Sequence, residues 1–132
     1  MLRVGFIGVR TDDVAGVTRF FTDLLGLEAA RIDADVAAVR LPTHPLEYVG
    51  IFSRDYRDDR RLPNDVDFMV AFVVDDLDEA LAEVKAAGLP VVAPGPEVVR
   101  AADEFGPADE RAGKAWFYVR APDRRVYGFM QV

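Results

Sequence analysis

Few residues in this sequence have the chemistry to act on a substrate. One histidine, His44, sits in the turn LPTHPLE, so a site built on two histidines is impossible within one chain. There is no cysteine, which removes disulfides and thiolate metal ligands together. The carboxylates nearest a candidate site are Glu47, Asp103 and Glu104, and solvent is the default place for such groups. Glu47 precedes Tyr48, and strand alternation turns the two side chains to opposite faces, which predicts a solvated Glu47. Ser53 and His44 fit no nucleophile-and-base arrangement. The stretch GPEVVRAADEFG lacks the spacing and context of a phosphate-cradling loop. What remains are side chains suited to binding, namely aromatic rings and a thioether.

The elements that must position those side chains occur twice. FIGVRTDDVAGVTRFFTDLLGLEAARI begins with alternation, Ile7 and Val9 on one side and Phe6, Gly8 and Arg10 on the other. Asp12 or Asp13 then supplies a helix N-cap, apolar residues follow at helical spacing, and Gly26 fits the left-handed position that ends a helix. MVAFVVDDLDEALAEVKAAGLPVV repeats the plan, with Asp75 or Asp76 as cap and Gly88 as stop. Phe6 maps to Met69 and Asp13 to Asp76 at an offset of 63, but Gly26 maps to Gly88 at 62. The first helical segment therefore holds one extra residue.

The ends of the two halves match as well. VAAVRLPTHPLEYVGIF and AWFYVRAPDRRVYGFMQ both read strand, proline-containing turn, strand, with Arg40 over Arg120 at an offset of 80. Each half is thus βαβββ, an internal repeat. Module one spans 1–55 and module two 67–132, joined by a linker over 56–66 that overlaps the charged stretch SRDYRDDRRLPND, residues 53–65. Residues 93–113, rich in proline and glycine, read as a long loop, either a lid or a plain connection.

A chain of 132 residues suits one domain, 1–132, able to bury about two thirds of its unfolded surface. Its longest central apolar run, residues 68–74, falls far short of the roughly 20 that span a membrane. The start, MLRVGFIGVR, goes straight into a strand pattern without a signal-peptide core, so a cytoplasmic protein is expected. A formal charge of −7 argues against a nucleic-acid surface, and reads either as simple solubility, the favoured reading, or as an attraction for a cationic ligand.

With its paired βαβββ modules, FVVDDLDEALAEVKAAG and FYVRAPDRRVYGFMQ, the chain resembles the vicinal-oxygen-chelate superfamily of glyoxalase I, ring-cleaving dioxygenases and bleomycin-resistance proteins. The resemblance implies an α+β fold: two modules forming a curved mixed sheet around a cleft, helices on the outer faces, and chains paired as a homodimer. In the family's enzymes four strands each give one ligand to a divalent metal. Carried over, those positions fall on Phe6, Tyr48, Met69 and Gly128, with Tyr48 placed by the offset of 80 from Gly128. None is a usable ligand for zinc or for a hard cation, and thioether sulfur suits Cu(I) at best. No metal and no cofactor are expected.

Phe6, Tyr48 and Met69, with Gly128 giving room, would instead line an apolar cleft. Parity adds Arg10 and Phe52 to that face. In KAWFYVR either Trp116, Tyr118 and Arg120 or Phe117 and Val119 face the cleft; the first set is favoured because its polar handles suit a partly wet pocket. The leading expectation is a metal-independent protein that binds an aromatic or cationic small molecule, as bleomycin-resistance proteins do. A metal-free isomerase or lyase using Tyr48, Glu47 or Glu104 is the alternative. A third is a dimeric, non-catalytic, partner-binding module whose pocket is filled by its own side chains.

Overall fold

In the computed structural model, residues 2–58, 60–92, 97–101 and 111–132 are described. Module one runs β1 (Arg3–Thr11), α1 (Val14–Arg19), a π-helical turn (Phe20–Leu24), β2 (Ala29–Ile32), β3 (Val36–Arg40) and β4 (Tyr48–Ser53). Module two runs β5 (Phe68–Val73), α2 (Leu77–Ala86), β6 (Val99–Arg100), β7 (Ala115–Arg120) and β8 (Val126–Gln131). The α+β architecture is one eight-stranded mixed sheet in the order β2-β3-β4-β1-β5-β8-β7-β6. Among the described residues no helix is long and apolar enough to cross a membrane.

Local chemistry sets both helices. The Asp13 carboxylate accepts from the Gly16 amide at 2.9 Å, and that of Asp76 from Glu79 at 3.0 Å, each satisfying a donor the first turn leaves open. Gly26 (φ 72°) and Gly88 (φ 75°) close the helical segments in the left-handed region. The extra residue of the first segment is housed in the π-helical turn, where Leu25 donates back to Phe20 instead of Phe21. A π-turn is how a helix absorbs one inserted residue without losing its register.

The halves meet edge to edge through β1 and β5, antiparallel, while β1 with β4 and β5 with β8 run parallel. Ile7 faces Val70, flanked by Phe6 opposite Ala71 and Gly8 opposite Met69. The offset of 63 exchanges these last two pairs, so the repeat's pseudo-twofold passes between Ile7 and Val70.

This register corrects one equivalence drawn from the sequence. Gly8 lies beside Gly50, and its repeat counterpart Ala71 lies beside Gly128. Gly50, not Tyr48, is therefore the counterpart of Gly128. The turn after Arg40 leads to its strand partner Tyr48, whereas the shorter turn after Arg120 leads to Val126. A turn longer by two residues leaves parity intact and shifts the position.

A second difference concerns the stretch expected as loop. Val99 and Arg100 form an edge strand against Trp116 and Ala115, while residues 93–96 and 102–110 lie outside the described residues, and with them the question of a lid.

The outer face of the sheet packs under the helices. Ala37, Val39, Val49 and Ile51 meet Val14 and Val17 of α1, and Phe117 and Val119 meet Leu77 and Val84 of α2. The inner face carries a separate cluster that includes Phe52, Leu62, Met69, Trp116, Tyr118 and Met130.

Candidate functional site

The inner face holds a cleft of about 570 Å³, counting the part open to solvent. Hydrogen-bonded register builds its floor in rows. One row runs Arg40, Tyr48, Phe6, Ala71, Gly128, Tyr118 across six neighbouring strands. The next runs Ala38, Gly50, Gly8, Met69. Small residues beside large rings make the hollow: a methyl added at Gly50 would lie 3.0 Å from the Phe6 ring, and one at Gly8 would meet Leu62 at 2.9 Å.

Of the residues singled out in the sequence, Phe6, Tyr48, Phe52, Met69, Trp116 and Tyr118 line this cleft together, drawn from both modules of a single chain. β7 turns Trp116 and Tyr118 inward and Phe117 outward, under α2. Gly128 sits in the same row but is not part of the cleft wall, and an added methyl there would meet the Ala71 Cβ at 2.8 Å. Arg10 is elsewhere. It is buried, and its guanidinium donates to the carbonyls of Ser53, Tyr56, Leu62, Pro63 and Val66 at 2.6–3.5 Å. It ties down the linker and does not line the cleft.

That linker is a strap across the cleft. Its Leu62 is fully buried in the inner cluster, and Tyr56 stacks on Phe52 at 5.6 Å. The Arg60 carbonyl accepts from both the Trp116 indole N–H, at 2.9 Å, and the Tyr118 hydroxyl, at 2.8 Å. The polar handles expected to meet water are thus held by the strap. Burial drives the Tyr118 phenol well above the ordinary tyrosine range, so it acts as a neutral donor. Burial also raises the Tyr56 phenol, with Asp58 adding to the rise and Arg61 opposing it.

Glu47 corrects the expectation of a solvated carboxylate. It does face away from Tyr48, yet it is fully buried, accepting from Arg3 Nε at 2.6 Å and from the Thr43 hydroxyl. Alternation gave the direction; the turn before β4 closes over the group. It is not part of the cleft wall.

Sequence reasoning missed the charged part of the wall: Arg60, Arg61, Arg111 and Lys114. Arg111 bridges to Asp58 at 3.2 Å, and Asp58 also lies 3.6 Å from Arg61. The Lys114 ammonium sits 4.1 Å from the centroid of the Tyr48 ring, whose hydroxyl accepts from Arg40 at 3.2 Å. Two signals pointed this way, the arginines beside the apolar Leu62 and Pro63 and a lysine directly preceding the aromatic strand AWFYVR. Among the described residues every charged side chain of the wall is a cation. Asp58 partly offsets them through its pairing with Arg111 and its approach to Arg61.

The same geometry tests the family's metal. Phe6, Met69, Gly128 and either Tyr48 or Gly50 do gather on one face, yet they offer a ring, a thioether, no side chain, and a phenol flanked by two cations. This donor set does not fit a divalent ion. Among the described residues no group of three His, Asp or Glu side chains fits one either.

The family model of the Glyoxalase/Bleomycin resistance protein/Dioxygenase superfamily matches residues 3–124. No curated protein matches. A glyoxalase/bleomycin resistance protein/dioxygenase superfamily member from Vibrio splendidus 12B01 superposes with a TM-score of 0.60 at 18% identity, covering 100% of both chains. Methylmalonyl-CoA epimerase from Mycobacterium tuberculosis gives 0.63 at 12% identity, over 97% of this chain and 86% of that one. The E323L mutant of homoprotocatechuate 2,3-dioxygenase from Brevibacterium fuscum gives 0.63 at 18%, over 98% of this chain and 32% of that one.

Proposed function

The chain belongs to the Glyoxalase/Bleomycin resistance protein/Dioxygenase superfamily, and on that footing we propose that it is a metal-independent binding protein which sequesters a small molecule with a planar, apolar body. The observation that carries the reading is the cleft wall, where Phe6 and Met69, at two of the positions that would otherwise ligate metal, join Tyr48, Phe52, Trp116 and Met130 around an open space. Four aromatic side chains and two thioethers grip a flat ligand without demanding one exact shape. Of the residues named for the isomerase or lyase alternative, Glu47 is engaged by Arg3 and Thr43 away from the cleft, Tyr48 lines the cleft, and Glu104 lies outside the described residues. Neighbours named as an epimerase and a dioxygenase share the fold while differing in chemistry, so the fold does not choose between these readings.

The test is a thermal-shift and Trp116 fluorescence screen in excess chelator, against planar aromatic acids, polyketide-like acids and cationic glycopeptides. A ligand at about 100 times its dissociation constant should add about 2.7 kcal/mol of stability. Saturable quenching, with the ligand recovered unchanged, is expected. Recovery of an altered ligand would replace the proposal with the enzyme reading, and binding that requires a divalent ion would remove metal independence.

Homodimerisation and a cytoplasmic location belong to the same proposal. Because one chain lines the cleft, pairing is not needed to complete it. Pairing is supported instead by exposed apolar side chains, among them Phe68, Phe20, Leu24 and Leu25. Sedimentation at micromolar concentration checks it, a monomer being the contrary result.

A further inference from the structure

The helices cover the outer face of the sheet unequally. α1 lies across β3 and β4, and α2 across β7 and β8. Under α1 both faces are sealed, with every residue of β3 up to Val39 and of β4 up to Phe52 buried. The central strands differ. On β5 the inward Met69, Ala71 and Val73 are buried, whereas the outward Phe68, Val70 and Phe72 are not. Their partners on β1, Val9, Ile7 and Val4, are likewise only partly covered. Among the described residues no helix lies over β1 and β5. From the midline of β3 and β4 to that of β8 and β7 is four strand spacings, about 19 Å. Helices in contact lie only about 8–10 Å apart, so the gap between α1 and α2 admits one more helix.

The two helices bordering this gap are unlike. Exposed side chains of α2 include Asp78, Glu79, Glu83 and Lys85, with Asp78 paired to Arg100 and Lys85 to Glu97. On α1 and its π-helical continuation, Arg19 and Asp23 are exposed beside Ala15, Phe20 and Leu24, and Leu24 is 72% in solvent. Phe20 and Leu24 are one turn apart, hence neighbours on the helix surface. Phe20 also rests edge-on against Phe21 at 5.3 Å, and Phe21 packs into the outer core. One chain thus presents an apolar groove with room for a helix and an apolar helix with no groove to enter.

We propose that a second copy of this chain fills the gap, each copy laying helical segment 14–24 into the groove of the other about a twofold axis. The inference rests on the pairing reading above and assigns it a surface. The helices then form one layer between two sheets, in the order α2, the partner's α1, α1, the partner's α2. Such a contact is self-complementary, as closed twofold pairing requires. It removes from water the outward side chains of β1 and β5 together with Phe20 and Leu24. The groove floor, about 20 Å along the strands and 19 Å across, is roughly 400 Å² in plan, and the flanks of two helices bring each chain toward the ~800 Å² that a stable pair buries. The cleft lies on the opposite face, so pairing leaves it open.

The experiment is sedimentation velocity of the full chain across the micromolar range. A native dimer is expected, with Leu24→Asp and Phe68→Lys each raising its dissociation constant at least tenfold. Both side chains are mostly exposed in one chain, and native Trp116 fluorescence checks that each variant is folded. Ile32→Asp, on the edge strand β2 and outside the gap, should leave the dimer intact. Because the chain has no cysteine, single introduced thiols report the arrangement directly. Mild oxidation should link Arg19→Cys, at the midpoint of segment 14–24, to its own copy, and should leave Lys85→Cys on α2 unlinked. A dimer that tolerates both Leu24→Asp and Phe68→Lys, or links through Lys85→Cys and not Arg19→Cys, would overturn this surface and leave pairing standing. A native chain that stays monomeric throughout would overturn pairing and this inference with it. The small-molecule reading survives either result.

Discussion

Arg10 and Lys114 are two buried cations on the inner face of one sheet, exposed to 6% and 7%, and the structure holds them in different ways. Arg10 sits where the strap crosses β1, its planar fork spread over five main-chain carbonyls. Lys114 sits at the cleft, its ammonium over an aromatic ring that is itself part of the wall. Equal burial therefore does not mean equal role. A guanidinium matches many carbonyls at fixed angles and so fastens chain to chain. An ammonium on a flexible stem is a compact point charge that a ring face helps to orient.

The sharpest way to break this contrast is Arg10→Met. Removing the guanidinium leaves buried carbonyls without their donor, at about 1–3 kcal/mol for each that water cannot reach. We expect a total loss of about 3 kcal/mol or more in urea unfolding, together with a change in native Trp116 fluorescence as the strap loosens. A loss under about 1 kcal/mol, with the fluorescence unchanged, would mean that the strap is anchored by something other than Arg10.

Glu47 supplies a third buried ionic group and a smaller effect. Its partner Arg3 is 44% exposed and recovers hydration once released, which discounts the loss. Glu47→Gln keeps the shape and removes the charge, and should cost about 2 kcal/mol with cleft binding unaltered. A change in the affinity of a cleft ligand would place Glu47 in communication with the cleft and blur the division between groups that fasten the chain and groups of the cleft wall.

What the sequence made legible is uneven in the same way. Period-two alternation carried much of the cleft, because Phe6, Tyr48, Phe52 and Met69 point where strand parity sends them, whereas Trp116 and Tyr118 were chosen between two faces that parity left open. Repeat offsets located the helices and their caps, and the one-residue excess announced the π-helical turn. The offset failed across β4, since a turn two residues longer shifts every later equivalence while leaving parity untouched. Parity is also blind to what lies above a face. Arg10 belongs to the inner face as alternation says, but only the path of residues 53–66, some 43 to 56 positions away, decides that carbonyls and not a ligand receive it. The same strap takes up the handles of Trp116 and Tyr118, and no local pattern encodes that contact.

Tyr118→Phe tests the far end of the strap and is the smallest effect. The phenol donates to the Arg60 carbonyl, which keeps its bond from Trp116, so the loss at pH 7 should be about 1 kcal/mol. The pH dependence is more diagnostic. Burial raises the folded-state pKa above the unfolded value of about 10. Below that value the phenol is protonated in both states and its contribution to stability is fully present. Above it the unfolded chain loses the proton while the buried phenol keeps it, so stability falls by about 1.4 kcal/mol per pH unit from this group alone. Lysines and other tyrosines titrate in the same range in both proteins, so the difference between native and variant isolates Tyr118. That difference should hold at about 1 kcal/mol up to pH 10, then close and change sign near pH 11, which is about where the proton linkage equals the lost hydrogen bond. Parallel stability curves from pH 7 to 11 would show that the phenol reaches water, and that the strap opens at the cleft end while remaining fastened at Arg10.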